Sequence, residues 1–147
     1  TLVALPATPT HPPPAEVTPI ATFLKRTADM KIRLKLGDRV ITATLADSKA
    51  TQDFISLLPL TLTLEDYAGT EKISDLPKKL SVEGAPAGSD PSVGDIAYYA
   101  PWGNLAIYYR DFGYSSGLII LGKLDSGIEA LAGRGKITVT IDLASKP

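Results

Sequence analysis

The sequence predicts an all-β domain, a closed antiparallel barrel with two short helices, preceded by a proline-rich tail. Several segments alternate apolar and polar residues with the two-residue period of a strand that is buried on one face. Turn residues separate these segments at short intervals, and the strands do not alternate regularly with helices as they do in parallel sheets. Closing such a sheet into a barrel removes the exposed strand edges that an open sheet would leave.

The first predicted strand, residues 31–36, alternates lysine and arginine with isoleucine and leucine. The turn at Gly37 and Asp38 joins it to a second strand at 40–45, which predicts a hairpin. The same criterion predicts five more strands, at residues 60–64, 94–99, 104–110, 118–121 and 136–143.

Two short helices interrupt the strands. Asp47 and Ser48 are residue types that cap helix N-termini, and Pro59 ends the helix that follows. Apolar residues recur between them at helical spacing: Ala50, Phe54, Leu57 and Leu58. A second helix is predicted over residues 125–131, ended by Gly133.

Residues 1–29 form a tail, and residues 30–147 form the domain. Six of the 12 prolines lie in the first 20 residues, so this segment is expected to be extended and flexible. We interpret it as a spacer, and as a PxxP-type ligand in the alternative. The Pro/Thr/Ala composition and the missing initial Met favour an exported protein whose signal or anchor was removed upstream; a cytoplasmic protein is the alternative.

Composition excludes several classes of function. The net charge is -1 without a dense basic block, which argues against nucleic-acid binding. There is no cysteine, and the single histidine, His11, lies in the tail, so the domain has no thiolate or histidine chemistry. No apolar run reaches the roughly 18–20 residues of a membrane-spanning helix. No metal or cofactor is expected.

Five stretches resemble the cyclophilins. VITATLADSKATQDFISLL resembles the strand–helix unit near the start of those proteins, LIILGKLDSGIEALAG a later strand and helix, and KITVTIDL the closing strand. LPLTLTLEDYAGTEKISDLPKKL and GDIAYYAPWGNLAIYYRDF resemble a family of small bacterial cyclophilin-like proteins, minimal barrels that mostly have no assigned activity. The resemblance covers residues 30–143 and implies the cyclophilin-like barrel fold.

The resemblance also implies where an isomerase site would lie. Cyclophilins hold a proline ring in an apolar pocket beside an arginine, and they stabilise the twisted amide over the planar one. Lys72 is the cation nearest the arginine position. Phe112 takes the place of a pocket tryptophan. Ile107 or Tyr108 takes the place of the phenylalanine that lines the pocket. Most of the isomerase set is not matched, because the domain has no histidine and no arginine at the equivalent position.

Seven of the ten aromatic residues fall within 17 positions. Because side chains alternate along a strand, one tyrosine of each Tyr-Tyr pair faces outward. Outward rings beside the Pro101-Trp102-Gly103 turn predict a platform for an extended or proline-containing peptide; the alternative is that the rings fill the barrel. The predicted ligand-binding residues are Tyr98, Tyr99, Trp102, Ile107, Tyr108, Arg110, Phe112 and Tyr114.

Other chemistry-bearing patterns are interpreted as ordinary loops. Asp66, Glu71 and Asp75 form a local acidic cluster whose spacing matches no metal loop, and we expect these carboxylates to be solvated. Residues 113–117 match the GxSxG nucleophile pattern, but no histidine follows them to complete a triad.

The leading hypothesis is therefore a module that binds a peptide or small ligand through its aromatic groove. The first alternative is a weak peptidyl-prolyl isomerase that uses the same groove, with Lys72 or Arg110 as the hydrogen-bond donor. The second is a structural accessory domain whose tail makes the interactions. Oligomeric state is left open.

Overall fold

The computed structural model describes residues 30–132 and 135–144. The predicted tail, residues 1–29, lies outside the described residues, as does Gly133, the expected end of the second helix. In the described part of the chain the strands are β1 (Lys31–Leu36), β2 (Arg39–Leu45), β3 (Leu60–Tyr67), β4 (Glu71–Asp75), β5 (Gly88–Ser89), β6 (Asp95–Tyr99), β7 (Asn104–Tyr108), β8 (Ser115–Ser116), β9 (Leu118–Leu124) and β10 (Ile137–Leu143).

Eight of these strands close into a barrel in the order β1-β10-β3-β4-β7-β6-β9-β2, with every neighbouring pair antiparallel. The short strands β5 and β8 pair with each other in a separate ribbon. The predicted closed antiparallel barrel is confirmed, and each of the seven predicted strands coincides with a barrel strand to within a few residues. β4, the eighth barrel strand, was not predicted.

The helix α1 (Lys49–Ser56) begins where the sequence pattern predicted it. Ser48 caps it, because its hydroxyl accepts a hydrogen bond of 3.1 Å from the backbone N–H of Thr51. Phe54 and Ala50 are buried in the barrel core, so this face of the helix packs against the barrel.

The second predicted helix, over residues 125–131, is not confirmed as an α-helix. Residues 128–130 form a single turn of 3-10 helix (Ile128–Ala130) instead. Gly127, which precedes the turn, has a left-handed backbone (φ 83°), so no helix begins at Asp125 as the pattern suggested. The few remaining residues are too short a segment to offset the cost of nucleating an α-helix.

Apolar residues on the inward faces of the strands and on α1 fill the barrel; they include Leu34, Ile41, Phe54, Leu64, Tyr98, Ile107, Leu121 and Val139. A second, smaller buried cluster consists of Ala97, Ala106, Tyr108 and Leu118. By strand alternation this cluster lies on the outer face of β6, β7 and β9. The outer face is therefore apolar next to β4, and the candidate site lies there.

Candidate functional site

A pocket of about 190 Å³ lies on the outer face of the barrel, where β4, β7 and β6 are neighbours. The antiparallel register pairs Glu71 with Tyr108 and Tyr99 with Asn104, so all four side chains project from the same face of the sheet. The pocket is lined by Tyr67, Ala68, Thr70, Glu71, Tyr99, Trp102, Asn104, Tyr108, Phe112 and Ser115.

The tip of the β3–β4 hairpin forms one wall. Ala68 and Gly69 both have left-handed backbones, with φ of 57° and 70°. Two consecutive positive φ values are typical of the tight hairpin turn that matches strand twist, and Ala68 is strained there because it carries a Cβ. The carboxylate of Asp66 accepts a hydrogen bond of 3.1 Å from the Gly69 N–H, which holds the turn.

Two further hydrogen bonds fix the hairpin tip to the end of the neighbouring strand β7. The backbone N–H of Tyr109 donates to the carbonyl of Thr70 at 3.0 Å, and the Tyr109 hydroxyl donates to Asp66. The hairpin tip is thus tied to the end of β7 through both backbone and side chain, and the wall it provides is rigid.

Trp102 forms the next wall, in the turn between β6 and β7. Its backbone N–H donates a hydrogen bond to the carbonyl of Tyr99 at 3.2 Å. Its ring meets Tyr67 at a centroid distance of 5.7 Å and an angle of 82°, and Tyr99 at 5.3 Å and 83°. In these edge-to-face contacts the neighbouring rings are nearly perpendicular and pack directly against each other, and all three line the pocket.

Phe112 closes the pocket from the loop after β7. Its N–H donates to the carbonyl of Pro91 at 3.1 Å, and its ring lies 6.5 Å from that of Tyr108. Phe112 is 46% exposed and Trp102 58%, whereas Tyr108 is only 3% exposed. The buried tyrosine therefore forms the floor of the pocket and the two exposed rings form its rim.

Glu71 places a carboxylate in this aromatic pocket. The residue is only 9% exposed, and the carboxylate accepts hydrogen bonds from the hydroxyls of Thr70, at 3.2 Å, and Tyr108. Burial raises the pKa of Glu71 above its usual value, and the nearby negative charge of Asp66 adds to the effect. Burial, together with the Glu71 carboxylate, also raises the pKa of Tyr108.

Asn104 supplies a second acceptor. Its Nδ2 donates to the carbonyl of Leu105 at 3.2 Å. Among the described residues, its Oδ1 is the buried side-chain polar atom that lacks a hydrogen-bond partner. A buried acceptor without a partner is costly, and a hydrogen-bond donor brought by a ligand would relieve that cost.

Four of the predicted ligand-binding residues line the pocket: Tyr99, Trp102, Tyr108 and Phe112. Tyr98 and Ile107 face the barrel interior instead, where the Tyr98 hydroxyl accepts a hydrogen bond of 3.1 Å from the Leu80 N–H. Arg110 and Tyr114 are exposed and do not belong to the pocket lining. The structure thus brings together only part of the predicted set.

Lys72 does not reach the pocket either. It is fully buried, on the opposite face of β4 from Glu71, and its Nζ donates to the carbonyl of Gly135 at 2.6 Å. It pairs in register with Ile107, another inward-facing residue. In the described part of the chain, no lysine, arginine or histidine lines the pocket.

The sequence interpretation missed six lining residues: Tyr67, Ala68, Thr70, Glu71, Asn104 and Ser115. Glu71 was expected to be solvated, but it lies on a barrel strand and is buried under the hairpin tip. The Tyr-Ala-Gly-Thr segment, residues 67–70, was the signal that could have predicted the position of Glu71. A hairpin turn there makes Glu71 the first residue of the next strand.

Within residues 30–132 and 135–144, no group of three or more histidine, cysteine, aspartate or glutamate side chains is placed to hold a metal ion. The same residues include no helix that is long and apolar enough to span a membrane.

Comparison with known proteins gives a family for this chain and a solved structure of similar fold. The profile of the Cyclophilin-like family matches residues 34–142. The solution structure of a hypothetical protein from Archaeoglobus fulgidus superposes with a TM-score of 0.57 at 14% sequence identity, covering 82% of this chain and 98% of the other. At that identity the similarity shows a shared fold. A search of curated proteins gave no match.

Proposed function

Because the chain belongs to the Cyclophilin-like family, we propose that it is a binding module that takes a peptide or small ligand in its aromatic pocket. The supporting observation is that five aromatic side chains line one pocket on the outer face of the barrel: Tyr67, Tyr99, Trp102, Tyr108 and Phe112.

The exposure of the rim favours binding over a purely structural use of the rings. Tyr67, Trp102 and Phe112 are 43%, 58% and 46% exposed. Rings that served only to fill the core would be buried as Tyr98 is, at 1%. Exposed aromatic surface around a concave site is typical of ligand-binding and interaction sites.

The size of the pocket limits what it holds. At about 190 Å³ it is smaller than the roughly 300–1,000 Å³ of pockets that enclose drug-sized ligands. It fits one side chain of a peptide or the head of a small molecule, with the rest of the ligand lying across the rim.

Prolyl isomerisation is the less well supported alternative. A pocket that held a proline ring would still need a donor directed at the twisting amide, as the arginine is in cyclophilins. The two candidate donors are poorly situated, because Lys72 is engaged with Gly135 inside the barrel and Arg110 lies outside the lining. Binding without catalysis is therefore the better-supported function.

Titration with a short Xaa-Pro peptide tests this proposal, with amide shifts and exchange spectra recorded by NMR on the same samples. We expect shifts confined to the pocket residues, and cis–trans exchange that stays on the uncatalysed timescale of about tens of seconds. Faster exchange would establish the isomerase alternative.

The chain has a single tryptophan, Trp102, so its fluorescence reports directly on the pocket. A ligand bound there is expected to change this emission. Binding of a partner that leaves Trp102 emission unchanged, and that is lost on deletion of residues 1–29, would instead support the structural accessory domain whose tail makes the interactions.

A further inference from the structure

The charge of the pocket narrows the chemistry of its ligand, and the following argument rests on the binding function proposed above. The lining contains one ionisable acid, Glu71, and in the described part of the chain it contains no basic side chain. Asp66, the charged residue that acts on Glu71, is also an acid. An anionic ligand would be repelled, and a cationic one attracted.

The aromatic rings favour the same charge. The face of an aromatic ring is electrostatically negative and attracts a cation that lies within about 6 Å of the ring centre, tryptophan most strongly. Trp102 stands perpendicular to both Tyr67 and Tyr99, at centroid distances of 5.7 and 5.3 Å. Because all three side chains line the same pocket, a cation bound there would contact more than one aromatic ring.

The remaining polar groups are suited to a ligand with N–H or polarised C–H groups. Asn104 Oδ1 is a buried acceptor without a partner, and Glu71 has acceptor capacity beyond the two hydroxyls that it binds. The backbone N–H groups of Trp102 and Phe112, which could bind an anion, are already bonded to the carbonyls of Tyr99 and Pro91.

We propose that the pocket binds an alkylammonium group, held against the rings of Tyr67, Tyr99 and Trp102 with the Glu71 carboxylate as its counter-ion. The volume of about 190 Å³ suits such a head group, whether it belongs to a free small molecule or to a lysine or methylated lysine side chain of a peptide.

The test compares two probes of nearly the same shape and different charge. Choline carries a trimethylammonium group, and 3,3-dimethylbutan-1-ol is its neutral isostere. Each is titrated into the ¹⁵N-labelled full chain, and Kd is read from the amide shifts of the pocket residues. We expect choline to bind at least about tenfold more tightly than the isostere, since only the cation gains from the rings and the carboxylate.

Two variants assign the effect to the carboxylate. Glu71→Gln keeps the size of the side chain and one acceptor oxygen but removes the charge, and it should weaken choline binding about five- to tenfold while changing the affinity for the neutral isostere little. Glu65→Gln is the matched control, because Glu65 is exposed on the adjacent β3 and does not line this pocket, and it should change neither affinity. The comparison of probes on the unaltered chain stands even if the Glu71 variant folds poorly.

A pair of acetylated, amidated peptides, one with trimethyllysine and one with norleucine at its centre, separates the two sources of the cation. Tighter binding of the trimethyllysine peptide than of choline indicates a peptide ligand, and equal or weaker binding indicates a small molecule.

Binding of the neutral isostere that is as tight as that of choline, or tighter, overturns the cation proposal. If an Xaa-Pro peptide shifts the pocket residues and none of the cations does, the cation proposal fails and the binding module stands. If no probe shifts them, both fail.

Discussion

Glu71 and Tyr108 lie directly opposite each other on β4 and β7, and the tyrosine hydroxyl donates a hydrogen bond to the carboxylate. Both side chains point away from the barrel interior, yet both are nearly buried, at 9% and 3% exposure. A buried charge is tolerated when hydrogen bonds satisfy it. This pair therefore keeps an acid at the floor of an otherwise aromatic pocket.

The stability of the protein should depend on pH through Glu71. Its pKa is raised in the folded state, so the folded protein binds the proton more readily than the unfolded chain does. The contribution of this group to folding is therefore fully present below its ordinary value of 4.5 and is lost as the pH rises through the raised value. Burial is the main cause of the raised pKa of Glu71; Asp66 adds to the increase, and the hydrogen bonds from Thr70 and Tyr108 oppose it.

Glu71→Gln removes that titration. We expect the free energy of unfolding of the variant, relative to the unaltered protein, to rise between pH 4 and pH 7, measured by urea denaturation at each pH. Glu65→Gln, the same replacement at an exposed glutamate on the neighbouring strand β3, serves as the control. A difference in unfolding free energy between Glu71→Gln and the unaltered protein that does not vary with pH would contradict the raised pKa of Glu71.

Tyr108→Phe deletes the hydroxyl and keeps the ring. The Glu71 carboxylate would then lose one of its hydrogen bonds while it stays buried, at a cost of about 1–3 kcal/mol near pH 7. In a double-mutant cycle with Glu71→Gln the cost should shrink, because a neutral amide needs the hydroxyl less. Urea unfolding of the four proteins measures the coupling, and additive effects would show that the two groups do not interact.

Trp102→Ala should separate binding from folding. The ring is more than half exposed, and its two edge contacts add about 0.5–1.5 kcal/mol each beyond the area that the ring buries, so the barrel should remain folded with reduced stability. Ligand affinity should fall about tenfold or more, because exposed aromatic rings in a pocket dominate binding energy. NMR titration measures this, with Val40→Ala, an exposed apolar truncation on β2, as the control. Unchanged affinity would remove Trp102 from the site.

Lys72→Met tests whether the lysine takes part in binding. Its ammonium points into the barrel and has the Gly135 carbonyl as its partner, so the variant should bind peptide with unchanged affinity. Stability should change little or increase, since replacing a buried charge with an apolar side chain of similar length relieves desolvation. A several-fold loss of peptide affinity, in a variant whose circular dichroism is unchanged, would return Lys72 to the list of site residues.

Alternation predicted most of the barrel because the signal is local. β1, for example, has the predicted bounds, since one face is charged and the other apolar along its whole length. Alternation of apolar and polar residues did not predict β4, because Glu71 and Lys72 are adjacent charged residues on opposite faces, and both are buried. Neither residue reveals by type which of them faces the interior.

The pocket was only partly predictable for a related reason. The clustering of aromatics predicted Tyr99, Trp102, Tyr108 and Phe112, which lie close together in the sequence. Glu71 joins them through the register of β4 against β7, more than thirty positions away along the chain. Pairing register between distant strands depends on the closed barrel as a whole, and no local pattern encodes it.

The pairing of β1 with β10 has a consequence for biosynthesis. Arg33 and Asp142, which form an ion pair across these strands, are 109 residues apart in the chain. During translation the first hairpin must wait, with one edge unpaired, until nearly the last residue of the domain leaves the ribosome. The nascent barrel is therefore open for most of its synthesis, and this is the interval in which it is most exposed to strand exchange with neighbouring chains.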